Sequence, residues 1–332
     1  MQAISNLQST LLSWYRENLR PLPWRESRDP YRIWISEIML QQTTVVAVIP
    51  YFERFLRHFP NLQALALADQ NEVLSLWSGL GYYSRARNLH KAAQCLVQND
   101  FPQTFQQLIE LPGFGPYTAR AVSSLAFDQP VRVLDGNVIR VLCRLYNRDL
   151  DWWTTKGRTY LQEKSDQLVQ GASSAEVNQA LMELGATICT PQSPACPLCP
   201  WRKSCQSLQK QTIAERPKPK PRRAMELWLW QPYLLEKKRQ NKVALVENTY
   251  APFLKKQWIF PGRVRKLQTA PKSFAFSHHI THHQIFVKPQ TPAIKPDGSW
   301  KKNLAWAAKD QLHEWNPSSL LKKVLAERPS TK

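Results

Sequence analysis

Apolar positions recur at i, i+3 and i+4 through "PYRIWISEIML", "TVVAVIPYFERFLRHF", "EVLSLWSGLG", "SRARNLHKAAQCLV", "GNVIRVLCRLY" and "NQALMELGATIC". That spacing gathers them on one face of an α-helix, and the interruptions fall at Pro, Gly and Asp, which end helices. Ile4, Leu7, Leu11, Trp14, Tyr15 and Leu19 carry the same period back to the N-terminus, which lacks the basic start and apolar stretch of a secretory signal. The first 188 residues are therefore expected to be almost wholly helical. After residue 224 the pattern changes. "MELWLWQPYLLE", "KVALVE", "QWIFPG", "SFAFSH" and "HHQIFVK" are short β-rich runs with turns between them, and "PSSLLKKVLAER" predicts a closing helix. The expectation is a mainly α chain with a smaller α+β domain at its C-terminal end.

Composition marks the boundary. "TIAERPKPKPRR", residues 212–223, alternates Pro with Lys and Arg and holds almost nothing apolar, the signature of an extended linker between domains at 1–211 and 224–332. A chain of 332 residues can bury a core in each. Charge divides at nearly the same place. Residues 1–215 hold 21 Lys and Arg against 18 Asp and Glu, whereas residues 216–332 hold 24 against 7. A cationic excess confined to one end favours a polyanionic partner, most often nucleic acid. No basic amphipathic helix accompanies it and no apolar run is long enough to span a bilayer, so a membrane is not expected.

Four of the six cysteines lie in "CTPQSPACPLCPWRKSC", residues 189–205, spaced C-x6-C-x2-C-x5-C. Disulfide frameworks belong to small secreted chains, so a reducing, cytoplasmic setting and metal ligation are expected. Zinc ribbons usually present two close pairs, and here there is one, which favours a cubane iron–sulfur cluster over zinc without excluding it. Pro191, Pro194, Pro197 and Pro200 keep the segment from becoming a helix, so it can curl round a ligand. Cys95 and Cys143 fall in helical patterns and are expected to be buried core thiols.

Three further places could carry chemistry. "LIELPGFGPYTARAVSSLAF", residues 108–127, predicts a helix ending at Pro112, a tight turn and a second helix. Gly113 and Gly115 would let backbone approach a ligand, and the amides opening the second helix suit a phosphate. An ordinary helical hairpin fits the same residues. Glu37 has Ile33, Trp34, Ile38 and Met39 around it, and an apolar setting keeps a carboxyl protonated, as a general acid requires. A solvated helical acid is the plainer alternative. Asp135 precedes "GNVIRVLCRLY" as an N-cap. Two carboxyls in unlike environments are what glycosidic cleavage needs, but positions 37 and 135 alone do not bring them together.

Taken together, "WISEIMLQQT", "LWSGLGYYSRARNLHKAA", "LPGFGPYTA", "LDGNVIRVLCRLY" and the cysteine loop resemble the MutY-type adenine DNA glycosylases of the helix-hairpin-helix, endonuclease III-like superfamily, over roughly residues 5–210. The resemblance implies a helix-hairpin-helix DNA glycosylase fold with a 4Fe-4S cluster held by Cys189, Cys196, Cys199 and Cys205. Arg202 and Lys203 of that loop would face phosphate. It implies a monomeric enzyme of base excision repair acting on double-stranded DNA with A:8-oxoguanine or A:G mispairs, which flips the adenine into a pocket. By motif, Glu37 would protonate the adenine and help water attack, Asp135 would stabilise or trap the sugar cation, and Tyr117 and Asn137 would assist. Arg20, Leu22, Trp24, Arg25 and Gln179 would form the adenine pocket, with Gln42 and Tyr82 wedged into the base stack. Related bifunctional lyases carry lysine at position 117 for a Schiff base, and Tyr117 cannot form one, so a monofunctional enzyme leaving an abasic site is implied.

The C-terminal part resembles the family's Nudix-like domain. "QWIFPG" matches a tryptophan-containing turn, and Phe276, Ser277 and His278 match a triple whose serine contacts oxidised guanine. No glutamate array for magnesium follows Gly262, which argues against nucleotide hydrolysis. Only about ten residues separate "WIFPG" from "SFAFSH", where the family has a helix-bearing segment, so the domain is shortened. His278, His279, His282 and His283 lack a nearby carboxylate in sequence and suit stacking or phosphate contact better than a metal. Two other readings stay open: a pyrimidine-lesion glycosylase/lyase, which Tyr117 disfavours, and a non-catalytic DNA-binding homologue, which the Glu37 and Asp135 pair disfavours.

Overall fold

Capping chemistry sets many of the helix boundaries in the computed structural model, which describes residues 2–221, 223–290, 304–316 and 318–327. Arg222 of the expected linker, and Pro317 and Arg328 of the expected last helix, lie outside those residues. The chain divides into two units, Met1–Lys220 and Pro221–Lys332. The first contains α1 (Gln2–Asn18), α2 (Pro30–Leu40), α3 (Val45–His58), α4 (Leu62–Leu67), α5 (Gln70–Leu76) and α6 (Ser84–Leu96). These are followed by α7 (Phe105–Leu108), α8 (Pro116–Phe127), α9 (Gly136–Leu145), α10 (Thr155–Val169), α11 (Ser174–Thr187) and α12 (Gln206–Gln209). Asp29 caps α2 from Tyr31 N, with Pro30 in the first turn, and Asp135 caps α9 from Val138 N.

Two apolar cores form inside this unit. Trp34, Phe52, Phe55, Trp77 and Leu89 anchor one, built on α2 to α8, and Trp34 stacks on Phe114 with centroids 5.2 Å apart. Leu11, Leu142, Leu161, Leu181 and Trp201 anchor the other, which joins α1 to α9, α10 and α11 and to the cysteine loop. Helix α2 is buried from Ile33 through Met39, so the carboxyl it carries at Glu37 lies inside protein rather than on a solvated face.

The structure corrects several expectations. The first helix of the expected hairpin is the single turn α7, which ends at Leu108 rather than Pro112 because the chain turns off at once through Ile109–Leu111. Cys143 is buried, but Cys95 is exposed, since it lies on the outer side of the α6 period. Residues 212–218 are not a free tether. Ile213–Glu215 make a 3-10 turn, the Ile213 and Arg216 carbonyls accept from Arg144 Nε at 3.2 and 2.9 Å, and the Lys218 carbonyl accepts from Trp152 Nε1 at 2.9 Å. Two side-chain donors, the buried Arg144 and the partly exposed Trp152, hold this proline-rich stretch, and composition could not reveal them.

The second unit carries β1 (Glu226–Pro232), β2 (Glu236–Lys237), β3 (Lys242–Glu247), β4 (Trp258–Ile259), β5 (Gly262–Leu267), β6 (Phe276–Ile280), β7 (His283–Val287) and β8 (Ala305–Ala308). Among the described residues one sheet runs β5-β1-β7-β6, with β1 and β7 parallel, and the other runs β2-β3-β4 with β8 also on β3. Helices α13 (Leu312–Trp315) and α14 (Ser319–Ala326) complete it. Trp230, Phe253, Phe260, Ile285 and Leu321 fill its core. The short stretch between "WIFPG" and "SFAFSH" is largely strand β5. Gly262 is required at its start, because a Cβ there would stand 2.4 Å from the Gln231 carbonyl oxygen. No helix among the described residues is long and apolar enough to cross a membrane.

Candidate active site

A cavity of about 200 Å³ opens where the two helical cores of the first unit meet. Glu37 of α2, Tyr117 of α8, Asp135 and Asn137 at the start of α9, and Gln179 and Glu183 of α11 all line it, together with Arg20, Leu22, Trp24 and Arg25. The structure thus gathers nine residues singled out in the sequence into one recess. Glu37 is 6 % exposed and accepts a hydrogen bond from the Tyr117 hydroxyl at 2.8 Å on Oε2. Burial pushes its carboxyl up to about 7, and the Asp135 charge acts in the same direction, while the Tyr117 hydrogen bond and Arg25 oppose the rise. Asp135 is also raised by burial, against the pull of its bonds from Val138 N (2.7 Å, to Oδ1) and Asn137 Nδ2 (2.9 Å, to Oδ2). Its cap and its place in the cavity coexist.

The lining holds a second buried carboxyl. Glu183, with no exposed side-chain surface, takes Arg20 Nε and Nη2 at 2.5 and 2.9 Å and Arg25 Nη2 at 2.8 Å. Although burial is the largest influence, the two guanidiniums together hold it below the usual carboxylate range. Tyr15 donates to Gln179 Oε1 at 2.5 Å, leaving the other end of that amide for the cavity. Arg140 bonds Asn137 Oδ1 at 2.8 Å, the Gly185 carbonyl at 2.8 Å and the Cys189 carbonyl at 2.7 Å, so one side chain ties the Asp135 side of the cavity to the cysteine loop.

Gln42 and Tyr82 are not in the cavity lining. Both are exposed, with positive φ of 60° and 47°, on the turn after α2 and the loop before α6. One guanidinium connects these loops. Arg85 Nη1 donates to the Ile38 and Gln41 carbonyls, each at 2.6 Å, Nη2 to Leu80 at 3.2 Å, and the Tyr82 ring lies 5.4 Å from its carbon. Gly113 has φ +81°, and a Cβ there would meet Asn88 Cβ at 2.7 Å; Gly115 precedes α8, whose first turn no side chain caps. Phe276, Ser277 and His278 lie on β6, an edge strand of the second unit, with Ser277 exposed.

The four cysteines of the loop are free thiols. Burial raises Cys199 to about 12, and the Cys189, Cys205 and Cys196 sulfurs push the same way. Arg144, 2 % exposed, braces the loop through the Thr190 and Pro191 carbonyls at 2.7 and 3.1 Å and lies 3.5 Å from Cys189 Sγ. Four thiolates on one zinc, at ~2.3 Å each, would stand ~3.8 Å apart. The four sulfurs do not form a group as compact as a single zinc ion would require, and four cysteine thiols are also the ligand set of a cubane cluster.

Glu183, Arg140, Arg144 and Arg85 were invisible as site residues in the sequence. Each occupies an unremarkable polar position in a helix. The one usable signal was the Gln179–Glu183 pair, four residues apart and hence on one face of α11.

Residues 35–170 match the family described as HhH-GPD superfamily base excision DNA repair protein. A mouse protein named adenine DNA glycosylase is 46% identical over 219 residues, which is 62% of this chain and 42% of that protein. One from Buchnera aphidicola of the Schizaphis graminum strain, with the same name, is 38% identical over 302 residues, 84% of this chain and 85% of that one. The chain thus spans under half of the mouse relative and most of the bacterial one. Among solved structures, a thermostable thymine-DNA glycosylase superposes with a TM-score of 0.57 at 29% identity, over 63% of this chain and 98% of that one. A non-covalent endonuclease III–DNA complex shares the fold, with a TM-score of 0.52 at 24% identity over 63% and 97%.

Proposed function

The chain belongs to the MutY-type adenine DNA glycosylase family, and from that premise we propose that it excises adenine mispaired with 8-oxoguanine or guanine and leaves an abasic site. The observation that carries this reading is the meeting of Glu37 and Asp135 in one cavity, with unlike partners. An adenine swung out of the duplex fills the recess, between Trp24 and Leu22 on one side and the polar atoms of Gln179 and Tyr117 on the other. Glu37, still protonated near neutrality, gives its proton to the imidazole-side ring nitrogen as the N-glycosidic bond breaks. The bonding electrons leave with the base, so adenine departs neutral and the sugar becomes an oxocarbenium-like cation. Asp135, ionised and held by two hydrogen bonds, stabilises that cation. Glu37, now a carboxylate, takes a proton from the water that adds to the sugar carbon. The Tyr117 phenol has no amine to offer that carbon, so the strand is not cut.

Cys189, Cys196, Cys199 and Cys205 would hold a 4Fe-4S cluster, and Arg144 fixes the loop that presents them. When bound, the cluster would supply a folded, locally charged platform rather than a reacting group. Arg202 and Lys203 are exposed on that loop, and the amides at the uncapped start of α8 suit a second phosphate. On the second unit, Ser277 is the residue assigned to the oxidised guanine, on a strand that is at the edge of its sheet among the described residues. Single-turnover release of adenine from A:8-oxoguanine and A:G duplexes tests the proposal directly. Borohydride trapping of enzyme on DNA at the rate of base release would refute the monofunctional assignment.

A further inference from the structure

The four histidines of "SHHITHH" lack a carboxylate in sequence, but the sheet brings them one. Glu226 opens β1, and in the parallel register of β1 with β7 its partner is His283. His282 immediately precedes, in the β6–β7 turn, and its carbonyl accepts from Glu226 N at 2.8 Å. One ligand atom from each of Glu226, His282 and His283 falls within 4.8 Å of the other two, and the His282 and His283 rings lie 4.0 Å apart. No other group of three or more such ligand atoms is this compact among the described residues.

The trio is poorly explained as an ordinary hydrogen-bonded cluster. His283 Nε2 lies 3.4 Å from Glu226 Oε2, well beyond the ~2.7–2.9 Å of a charge-assisted bond. The Nε2–Oε2 separation suits another arrangement. Two ligands ~2.1 Å from a zinc ion at the tetrahedral angle stand ~3.4 Å apart. The carboxylate is also held for such a role, since Trp228 Nε1 donates to Oε2 at 3.1 Å and Lys266 Nζ to Oε1 at 2.6 Å. Outer contacts of this kind orient ligating carboxylates.

We infer that Glu226, His282 and His283 form a site for a single divalent cation of the zinc class on the second unit. Two imidazoles and one carboxylate suit zinc better than magnesium or calcium, which take all-oxygen sets. Three protein ligands leave a fourth position open to water or an external oxygen. The ion would clip the tip of the β6–β7 hairpin to the first residue of β1.

Equilibrium dialysis of the cluster-replete full chain against micromolar Zn²⁺, with zinc and iron both counted, tests the site. The expected result is one zinc per chain with iron unchanged. His282→Ala, at a partly exposed position that the fold does not depend on, should weaken binding more than tenfold, as loss of one of three ligands exceeds the ~10–100-fold effect of outer contacts at its lower end. His279→Ala, a neighbouring imidazole outside the trio, should bind as the parent does. Zinc uptake equal in parent and His282→Ala, or lost equally in His279→Ala, would overturn the inference, as would zinc gained only when iron is lost.

Discussion

Glu37 and Glu183 line one cavity, both removed from water, and their charges diverge. Glu37 has a neutral phenol as its hydrogen-bond donor and an acidic neighbour in Asp135, so burial prevails and the carboxyl rises to about 7. Glu183 has two guanidiniums within 3 Å, and they outweigh the same burial. Burial therefore does not decide protonation by itself; the donors that accompany it do. The consequence is a division of labour. On the proposed function Glu37 stores a proton for the leaving base, while Glu183 fixes Arg20 and Arg25 without itself titrating near neutrality.

Two isosteric substitutions should split this pair, beginning with the largest effect. Glu37→Gln removes the transferable proton, and single-turnover base release should fall by about 10²–10⁴-fold with duplex affinity retained. Its stability should move the other way. The native state holds the Glu37 proton up to about 7 against an ordinary value of 4.5, so the native form binds more protons in between and stability falls as pH rises through that window. Above it the carboxylate costs roughly 3 kcal/mol, a penalty that Glu37→Gln escapes. Urea unfolding at pH 8 should show the variant more stable than the parent, and at pH 4 the two should converge. Glu183→Gln should instead lose about 3–5 kcal/mol, because two cations are left facing a neutral amide. The Glu183 contribution is present above the ordinary carboxylate value and disappears as pH falls through its depressed one. If both variants shift stability in the same direction at pH 8, the contrast between the two carboxyls is wrong.

Half of this contrast could be read along the chain. Glu37 is flanked by Ile33, Trp34, Ile38 and Met39, so an apolar setting followed from local pattern, and Asp135 was legible as a cap. Glu183 was not, because its partners Arg20 and Arg25 lie about 160 residues away and only tertiary packing joins them. The same limit hid Arg144, whose acceptors come from the cysteine loop and residues 213–216, and so hid the docking of what composition portrayed as a free linker. Helix positions from Pro30 to Leu145 were largely visible because amphipathic period is local. Strand β5 was missed, since "GRVRKL" is polar on its outer face and gains strand form only by pairing with β1. Likewise the carboxylate beside His283 became visible only through the parallel register of β1 and β7.

Tyr117→Phe sharpens the comparison at Glu37 alone. The phenol lowers the Glu37 carboxyl by bonding its charged form, so its removal should raise it further. The alkaline limb of base release, which follows loss of the Glu37 proton, should then move to higher pH by up to about one unit, or ~1.4 kcal/mol. A limb that moved to lower pH would mean that the phenol bonds the neutral acid instead.

Arg85 extends the comparison to the opposite sign. It is a partly buried cation, lowered by burial, that forms no salt bridge among the described residues; its two terminal nitrogens donate to the carbonyls of Ile38, Met39, Gln41, Leu80 and Gly81. Neutral dipoles from two loops thus do for Arg85 what Arg20 and Arg25 do for Glu183, and in doing so they fix the positions of Gln42 and Tyr82. Lysine keeps the charge but lacks the planar fork that reaches both loops at once. Arg85→Lys should cost ~1–2 kcal/mol of stability, with base release from a mispaired duplex slowed roughly tenfold. A positioning role further requires that affinity for a duplex already holding an abasic analogue fall less than the rate does, because that substrate needs little wedging. Equal losses in both would reduce Arg85 to a plain structural residue and leave Gln42 and Tyr82 without a shared anchor.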